Sequence, residues 1–264
     1  MTAQILDCDG VLAETERELH LPAFNQAFEE RGLPLHWTDA EYLERLQVAG
    51  GKERIASSLT PELMNAVGMP FEPEAVLDLA ERLHERKTEI LAEMFGRRPP
   101  RARPGVRRIV EAAHAAGWKL AIASTSAEAS VRRVVGAVLG APLASEVLVL
   151  AGDLVSAKKP DPEIYELAVA LLRVSRTETI VIEDSRNGLL AAAGAGLTCV
   201  VTVSEYSAGE DFSESPLVIS SLGDPGEQLT VIANRSTVTP RGELTLDDLT
   251  ELARTRTVSC ADRR

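Results

Sequence analysis

The sequence has few cysteines and no long apolar segment, and each shortage excludes a class of protein. Its three cysteines, Cys8, Cys199 and Cys260, are an odd and widely scattered set that matches no disulfide framework and no zinc-finger spacing. This usage is typical of a reducing compartment, so we expect a cytoplasmic protein. No apolar run approaches the roughly 20 residues of a membrane helix, and a strand pattern begins directly after the first residues. We therefore expect neither a membrane span nor a targeting peptide.

Basic residues are also fewer than acidic ones. The chain carries 40 acidic and 28 basic side chains, which gives a formal net charge of -12. An overall negative field repels polyanions, so nonspecific binding to nucleic acid or to an anionic membrane is not expected. A small anionic substrate would need a local positive pocket.

The chain is long enough to fold without metals or disulfides as structural supports. Its 264 residues, 45% of them hydrophobic, suffice for one or two cores, and two modest domains fit best. Short apolar runs alternate with helical patterns, which predicts an α/β fold with a parallel sheet and crossover helices. The predicted strands are 3–6, 120–123, 147–150, 180–182, 199–203 and, as a sixth candidate, 218–219; the predicted crossover helices are 106–116, 128–139, 163–172 and 188–195.

Residues 16–98 differ from the rest, because they contain helical patterns at 19–31, 39–46 and 75–94 and no convincing strand. A proline- and arginine-rich segment, 97–105, follows them and marks a boundary. A helical domain is therefore predicted to be inserted after the first strand. We expect residues 1–14 and 102–226 to form the core, 15–101 the inserted domain, and 227–264 an extension with a short acidic helix and no assigned role.

The first candidate motif is Asp7-Cys8-Asp9-Gly10, at the carboxyl end of the first strand. Ligands of open α/β sheets bind at that edge, and two carboxylates separated by one residue project to the same side of an extended chain. One of them can attack as a nucleophile while the other transfers a proton. An EF-hand is excluded, because Gly10 is fourth rather than sixth in the motif and a strand precedes it. These residues alone are also compatible with two aspartates in an ordinary strand-to-turn connection.

Polar residues recur where the same edge of the predicted sheet is expected. Ser124-Thr125-Ser126 follows the second strand, Lys158-Lys159-Pro160-Asp161-Pro162 precedes the third crossover helix, and Glu183-Asp184-Ser185 ends the strand at 180–182. Hydroxyl, ammonium and acidic groups are complementary parts for handling a phosphoryl group with Mg²⁺. Capping of the helix after Asp184 would use the same acidic and hydroxyl side chains.

In this order, with a helical insert after the first motif, the four motifs resemble the haloacid dehalogenase-like phosphatases with a helical cap, relatives of the β-phosphoglucomutase-like and phosphoglycolate phosphatase-like proteins. Segments 13–16, 49–54, 151–153 and 205–206 are similar to the CbbY-like subgroup, which dephosphorylates xylulose-1,5-bisphosphate. The resemblance covers residues 5–226 and implies a Rossmann-like core with a cap. Val11 stands where many members have threonine.

The resemblance implies a role for each motif residue. Asp7 would be the nucleophile that becomes an aspartyl-phosphate, and Asp9 the general acid and base. Mg²⁺ would be bound by Asp7, by the backbone carbonyl of Asp9 and by Asp184, with Glu183 in support. The transferring phosphoryl group would be held by Ser124, Thr125 and Lys159.

The resemblance also implies substrate contacts in and near the cap. Lys52, Arg54 and Lys87 are candidates for the phosphate that is not cleaved, and Glu14 and His20 for sugar hydroxyls. From the sequence alone, the three cations could equally belong to a solvated helix face. His20 could equally be a packing or capping residue.

The expected substrate is a small sugar phosphate or bisphosphate, and no protein partner is predicted. Two alternatives stay open. A phosphomutase resembling β-phosphoglucomutase would return the phosphate to the sugar with the same core. A noncatalytic phospho-aspartate switch would also combine acidic residues, Mg²⁺, a hydroxyl and a lysine, but receiver domains lack a helical insert after the first strand.

Overall fold

The computed structural model describes residues 2–254, and a seven-stranded sheet lies at its centre. The spatial order is β3-β2-β1-β4-β5-β6-β7, in which the first six strands are parallel and β7 runs antiparallel to β6. The strands are β1 Ala3–Leu6, β2 Lys119–Ala123, β3 Leu148–Leu150, β4 Thr179–Glu183, β5 Thr198–Thr202, β6 Leu217–Ile219 and β7 Val231–Asn234. The predicted α/β class with a parallel sheet is confirmed.

Five helices and a preceding π-helical turn, Glu16–His20, follow β1. The helices are α1 Leu21–Glu30, α2 Asp39–Arg45, α3 Gly51–Ala56, α4 Pro61–Ala66 and α5 Pro73–Arg97. They enclose an apolar cluster of their own, in which the rings of Phe28 and Trp37 meet edge to face at 4.8 Å. The sequence patterns indicated α1, α2 and α5. They did not indicate α3 and α4, because six residues are too few for a helical period to stand out.

Helices cover both faces of the sheet. Successive residues of each strand point to opposite faces, so each strand packs against helices on both sides. In β1, Leu6 joins the cluster beneath α6 Val106–Ala115 and α7 Glu128–Leu139, while Ile5 joins the cluster beneath α9 Glu163–Leu172 and α10 Arg186–Gly194. A short helix, α8 Ala141–Ala144, connects α7 to β3. Strands buried on both faces account for the continuous apolar runs in the sequence.

The end of the described chain belongs to the same core. Helix α11 Leu246–Arg254 buries Leu249 and Leu252 in the cluster that contains Leu6, and β7 forms the edge of the sheet. The side chain and backbone of Thr245 exchange hydrogen bonds with Asp248, which caps α11. Part of the extension without an assigned role therefore covers the sheet. Cys260 and the rest of 255–264 lie outside the described residues.

The fold brings the motif residues to one edge. β1 lies between β2 and β4, and Leu6 is in register with both Ile122 and Ile182, so the three strands end together. The inserted helices leave the sheet at this edge and return to it, where Ala13 and Ala102 form a β-bridge. Within residues 2–254, every helix is too short or too polar to traverse a lipid bilayer.

Candidate active site

Three acidic side chains form a cluster at the carboxyl edge of the sheet. Asp7, Glu183 and Asp184 each offer a carboxylate oxygen, and these oxygens lie within 4.8 Å of one another. Burial raises the pKa of Asp7 to about 8, with Lys159 lowering it and Glu183 raising it. Burial, followed by the charges of Glu183 and Asp7, also raises the pKa of Asp184 well above its ordinary value. The cluster therefore has a deficit of positive charge, and its oxygen ligands fit a hard divalent cation such as Mg²⁺.

Gly10 allows this cluster to form. It has a φ of +79°, which is in the left-handed region, and a Cβ at this position would overlap the carboxylate of Asp184. The glycine of the first motif therefore serves both the turn and the close approach of the acidic side chain.

Lys159 is buried between two of the carboxylates. Its Nζ lies 2.6 Å from Asp7 Oδ1 and 2.5 Å from Glu183 Oε1, and it donates to the carbonyl of Ala123 at 2.9 Å. Although burial lowers the pKa of Lys159, the charges of Asp7 and Glu183 raise it above its ordinary value. Tyr165 donates its hydroxyl to the same oxygen of Glu183. An ammonium group is thus held in a fixed position beside Asp7.

Asp9 has different surroundings. It accepts hydrogen bonds from Thr15 Oγ1 at 2.5 Å and from Ser126 Oγ at 2.6 Å, and its Oδ1 lies 3.2 Å from His20 Nε2. Burial raises its pKa, but the charge of His20 and these hydrogen bonds hold the pKa below its ordinary value. His20 Nδ1 in turn lies 2.8 Å from Lys87 Nζ. In the ligand-free site the two aspartates of the motif therefore differ in charge preference: the surroundings of Asp7 favour its neutral form, and those of Asp9 favour its ionised form.

Ser124 completes the edge. It is buried, and its Oγ accepts a hydrogen bond from the backbone N–H of Ser126 at 3.2 Å. Within residues 2–254 its hydroxyl proton has no acceptor, so it is available to an oxygen of a ligand. Thr125 lies beside it in the lining of the cleft.

A cleft lies between this edge and the inserted helices, and it opens to solvent. It is lined by most of the residues that the sequence singled out: Asp7, Asp9, His20, Arg54, Lys87, Ser124, Thr125, Lys159 and Asp184. Glu183 lies behind this surface, fully buried against Lys159 and Tyr165.

Two residues with predicted substrate contacts lie elsewhere. In the described part of the chain, neither Glu14 nor Lys52 belongs to the lining of this cleft. Glu14 Oε1 pairs with Arg103 Nε at 3.0 Å, and Lys52 Nζ pairs with Asp153 Oδ2 at 3.1 Å. Both side chains are neutralised by partners distant in sequence, which the sequence patterns could not indicate.

Arg54 and Lys87 form the positive part of the cleft wall on the inserted helices. Both are buried, with exposed fractions of 8% and 4%. Arg54 Nη1 donates to the hydroxyl of Tyr42 at 3.1 Å, and Lys87 Nζ lies 4.5 Å from the ring centroid of Phe24. Burial lowers the pKa of Lys87 to about 8. Among residues 2–254 neither cation forms an ion pair with a carboxylate, so both can meet an anionic ligand.

Four residues that the sequence did not predict as site residues form hydrogen bonds that support the site. Thr15 and Ser126 donate to Asp9, Tyr165 donates to Glu183, and the guanidinium of Arg103 donates to backbone carbonyls that include those of Val203 and Ser220, at 2.6 and 2.8 Å. Thr15 lies in segment 13–16 and Ser126 in Ser124-Thr125-Ser126, so both belong to segments that carry the resemblance. No sequence pattern pointed to Tyr165 or Arg103.

The sequence model of the haloacid dehalogenase-like hydrolases matches residues 1–196. A CBBY-like protein of Arabidopsis thaliana is 42% identical over 233 residues, which are 86% of this chain and 71% of that protein. The crystal structure of CbbY from Rhodobacter sphaeroides in complex with phosphate is 38% identical, covers 84% of this chain and 95% of that chain, and has a TM-score of 0.73. A mutant of that CbbY in complex with xylulose-(1,5)bisphosphate gives 37% identity, the same coverage and a TM-score of 0.73.

Proposed function

The chain belongs to the haloacid dehalogenase-like hydrolases and is a sugar-phosphate phosphatase, and we propose that it removes one phosphate of xylulose-1,5-bisphosphate in a magnesium-dependent reaction. One observation carries the proposal. A single cleft combines the Asp7–Asp9 pair with two buried cations, Arg54 and Lys87, that lack carboxylate partners among residues 2–254. A bisphosphate has one phosphate for each end of such a site.

The acidic cluster fits a magnesium ion, because three neighbouring carboxylates, one buried and two partly buried, have little compensating charge and favour a cation among them. We propose that Asp7, Asp184 and the backbone carbonyl of Asp9 would hold it, with Glu183 keeping Lys159 and the loop after β4 in place. When bound, Mg²⁺ would supply positive charge that draws in the phosphoryl group and offsets the charge of the transfer.

In the first step Asp7 attacks the phosphorus atom, the bond from phosphorus to the sugar oxygen breaks, and an aspartyl-phosphate forms. Asp9 donates a proton to the leaving sugar oxygen. Because Asp9 is ionised in the ligand-free site, it must take up that proton as the negative charge of the substrate enters. In the second step Asp9 removes a proton from water, which attacks the aspartyl-phosphate and releases inorganic phosphate.

Lys159 and Ser124 position the phosphoryl group in both steps. The ammonium group beside Asp7 offsets the charge on the phosphoryl oxygens, and the hydroxyl proton of Ser124 has an acceptor only when a ligand is bound, as far as residues 2–254 show. Ser124 directly follows β2, and Lys159 is fixed by its contacts with Asp7, Glu183 and the carbonyl of Ala123, which limits the reorganisation that the reaction requires.

We further propose that residues 15–101 are a cap on a core of 1–14 and 102–226, with hinges near 13 and 101–104. The β-bridge between Ala13 and Ala102 and the hydrogen bond from Arg103 N to Leu12 O at 2.9 Å support a joint at these two chain crossings. Closure of the cap would exclude water from the aspartyl-phosphate until the sugar leaves. The free, buried thiols of Cys8 and Cys199 support a reducing, cytoplasmic location, which we also propose.

A screen of phosphate release from sugar mono- and bisphosphates, with Mg²⁺ and with EDTA, tests the proposed function. We expect release of inorganic phosphate from xylulose-1,5-bisphosphate only when Mg²⁺ is present. Isomerised sugar phosphates without inorganic phosphate would instead establish a phosphomutase. Phosphorylation of the protein without turnover of any sugar phosphate would establish a phospho-aspartate switch.

Arg54→Ala tests the contact with the distal phosphate. Loss of one charge-assisted hydrogen-bonding group should raise KM for the bisphosphate by about 10- to 100-fold. KM for a sugar monophosphate should rise much less, because a monophosphate has no second anion. Arg82→Ala, which removes an exposed arginine paired with Asp78 on α5, is the matched control. Equal increases in KM for both substrates would remove the distal-phosphate assignment.

A further inference from the structure

Arg103 lies in the linker through which the chain returns from the inserted helices, and neither the four motifs nor the proposed mechanism gives it a task. Its side chain is only 8% exposed. Its two Nη atoms donate to backbone carbonyls of three separate segments, which are those of Gly10, Thr202, Val203 and Ser220. Its Nε lies 3.0 Å from Oε1 of Glu14, which belongs to the other chain crossing. A buried guanidinium thus joins both crossings to the turn after β1 and to the ends of β5 and β6.

Two of the carbonyls held by this guanidinium adjoin the groups proposed to bind magnesium. Gly10 follows Asp9, whose carbonyl is a proposed ligand, and a Cβ on Gly10 would overlap the carboxylate of Asp184. Val203, whose carbonyl lies 2.6 Å from Nη2, precedes Ser204, and the side chain of Ser204 forms a hydrogen bond with Asp184. A shift of either peptide would therefore displace an oxygen of the proposed ion site.

The charge of Arg103 is not what favours a cation in the acidic cluster. This positive charge acts on Asp184, and because like charges repel, it would by itself weaken the binding of a second cation. Any benefit for Mg²⁺ must come from the geometry that the guanidinium imposes. A planar group with its donors in a fixed fork suits this task, because it holds several acceptors at defined positions.

We propose that Arg103 is a positioning residue that, by holding these two carbonyls, keeps the oxygens of Asp9 and Asp184 in place for the magnesium ion. This inference rests on the proposed function and deepens it, because it names a determinant of the metal affinity. Mg²⁺ demands near-ideal octahedral geometry, so displacement of its ligands lowers its affinity. Arg103 would act through these oxygens rather than touch the ion.

Arg103→Met tests the proposal, because it keeps an unbranched apolar stem but removes the charge and every donor. The readout is the dissociation constant for Mg²⁺, measured by isothermal titration calorimetry on the substrate-free protein. We expect this constant to rise about tenfold or more, which is the loss typical of groups that orient metal ligands. Removal of a positive charge alone would have the opposite effect and would lower the constant.

Arg108→Met is the matched control. Arg108 on α6 also donates to backbone carbonyls, and these follow β6 or precede α11; they are the carbonyls of Leu222, Gly223 and Leu244. Both substitutions should lower the melting temperature in EDTA, because both deprive carbonyls of their donors. Only Arg103→Met should change the dissociation constant for Mg²⁺, so the comparison separates positioning of the ion site from general stabilisation of the fold.

Arg103→Lys keeps the charge and replaces Arg103→Met in the test if the latter does not fold. One ammonium nitrogen has three donors and cannot reach the carbonyls of all three segments. The dissociation constant for Mg²⁺ should therefore rise again, by about threefold or more, although the charge is unchanged.

The outcomes separate this inference from the proposed function. An unchanged or lower dissociation constant in the folded variant, or an equal rise in Arg108→Met, would overturn the role of Arg103 alone. A wild-type protein that does not bind Mg²⁺ would overturn the magnesium site and the role of Arg103 together. A wild-type protein whose Mg²⁺ affinity depends on Arg103 as expected, but which releases no phosphate from xylulose-1,5-bisphosphate, would overturn the proposed substrate and support the positioning role.

Discussion

Replacing Asp7 by asparagine is expected to abolish phosphate release while the protein stays folded. The amide keeps the size of the carboxylate but is not a nucleophile, so the aspartyl-phosphate cannot form. We expect kcat to fall by roughly 10⁴-fold or more, which is the order found when a nucleophile is removed from a catalytic unit. The measurement is inorganic phosphate released from xylulose-1,5-bisphosphate under saturating Mg²⁺.

The fold should tolerate the change because Lys159 keeps two other partners, Glu183 Oε1 at 2.5 Å and the carbonyl of Ala123 at 2.9 Å. The melting temperature and circular dichroism spectrum of Asp7→Asn should therefore remain close to those of the wild type. Asp78→Asn, at an exposed carboxylate on α5 that pairs with Arg82, is the control and should keep full activity. Turnover by Asp7→Asn at the wild-type rate would refute the nucleophile assignment.

Asp184→Asn is expected to remove both activity and the response of the protein to Mg²⁺. In the wild type, a ligand at a concentration 100 times its dissociation constant adds about 2.7 kcal/mol to the free energy of unfolding. For a chain of this size that corresponds to a rise in melting temperature of about 5–10 °C. Without one carboxylate of the cluster, most of this rise should disappear, and kcat should fall steeply.

Without Mg²⁺, the same substitution is not expected to lower the melting temperature. The pKa of Asp184 is raised in the folded protein, so this carboxyl group lowers the free energy of unfolding at every pH above its ordinary pKa, where the unfolded chain ionises more readily. Asp184→Asn should therefore melt at the same or a higher temperature than the wild type in EDTA at pH 8. Calorimetric scans in EDTA and in Mg²⁺ measure both effects, with Asp78→Asn as control. An undiminished Mg²⁺ response in Asp184→Asn would place the ion elsewhere.

The sequence predicted the sheet well because its central strands are buried on both faces and read as short apolar runs. The prediction at 180–182 falls inside β4, and that at 199–203 is displaced from β5 by one residue. β7 was not predicted. It is an edge strand in which Val231 and Ile232 are exposed by 40% and 56%, so burial does not impose a pattern on it.

The edge where the motif residues meet could also be predicted from the sequence, because the carboxyl ends of parallel strands lie at the same edge of a sheet. Side-chain partners across the chain were not accessible. Arg54 and Lys87 have charged sequence neighbours that are typical of a solvated helix face, but in the fold they are buried against residues such as Tyr42 and Phe24. The burial of Lys87 arises from contacts between helices that no local pattern encodes.

The product of a single substrate tests the central claim most directly. Xylulose-1,5-bisphosphate should be incubated with the protein and Mg²⁺, and inorganic phosphate and sugar monophosphates should be quantified. One equivalent of phosphate and one of xylulose 5-phosphate, with no reaction in EDTA, is the predicted result. A rearranged sugar phosphate without inorganic phosphate, or hydrolysis that proceeds equally in EDTA, would contradict a magnesium-dependent bisphosphate phosphatase.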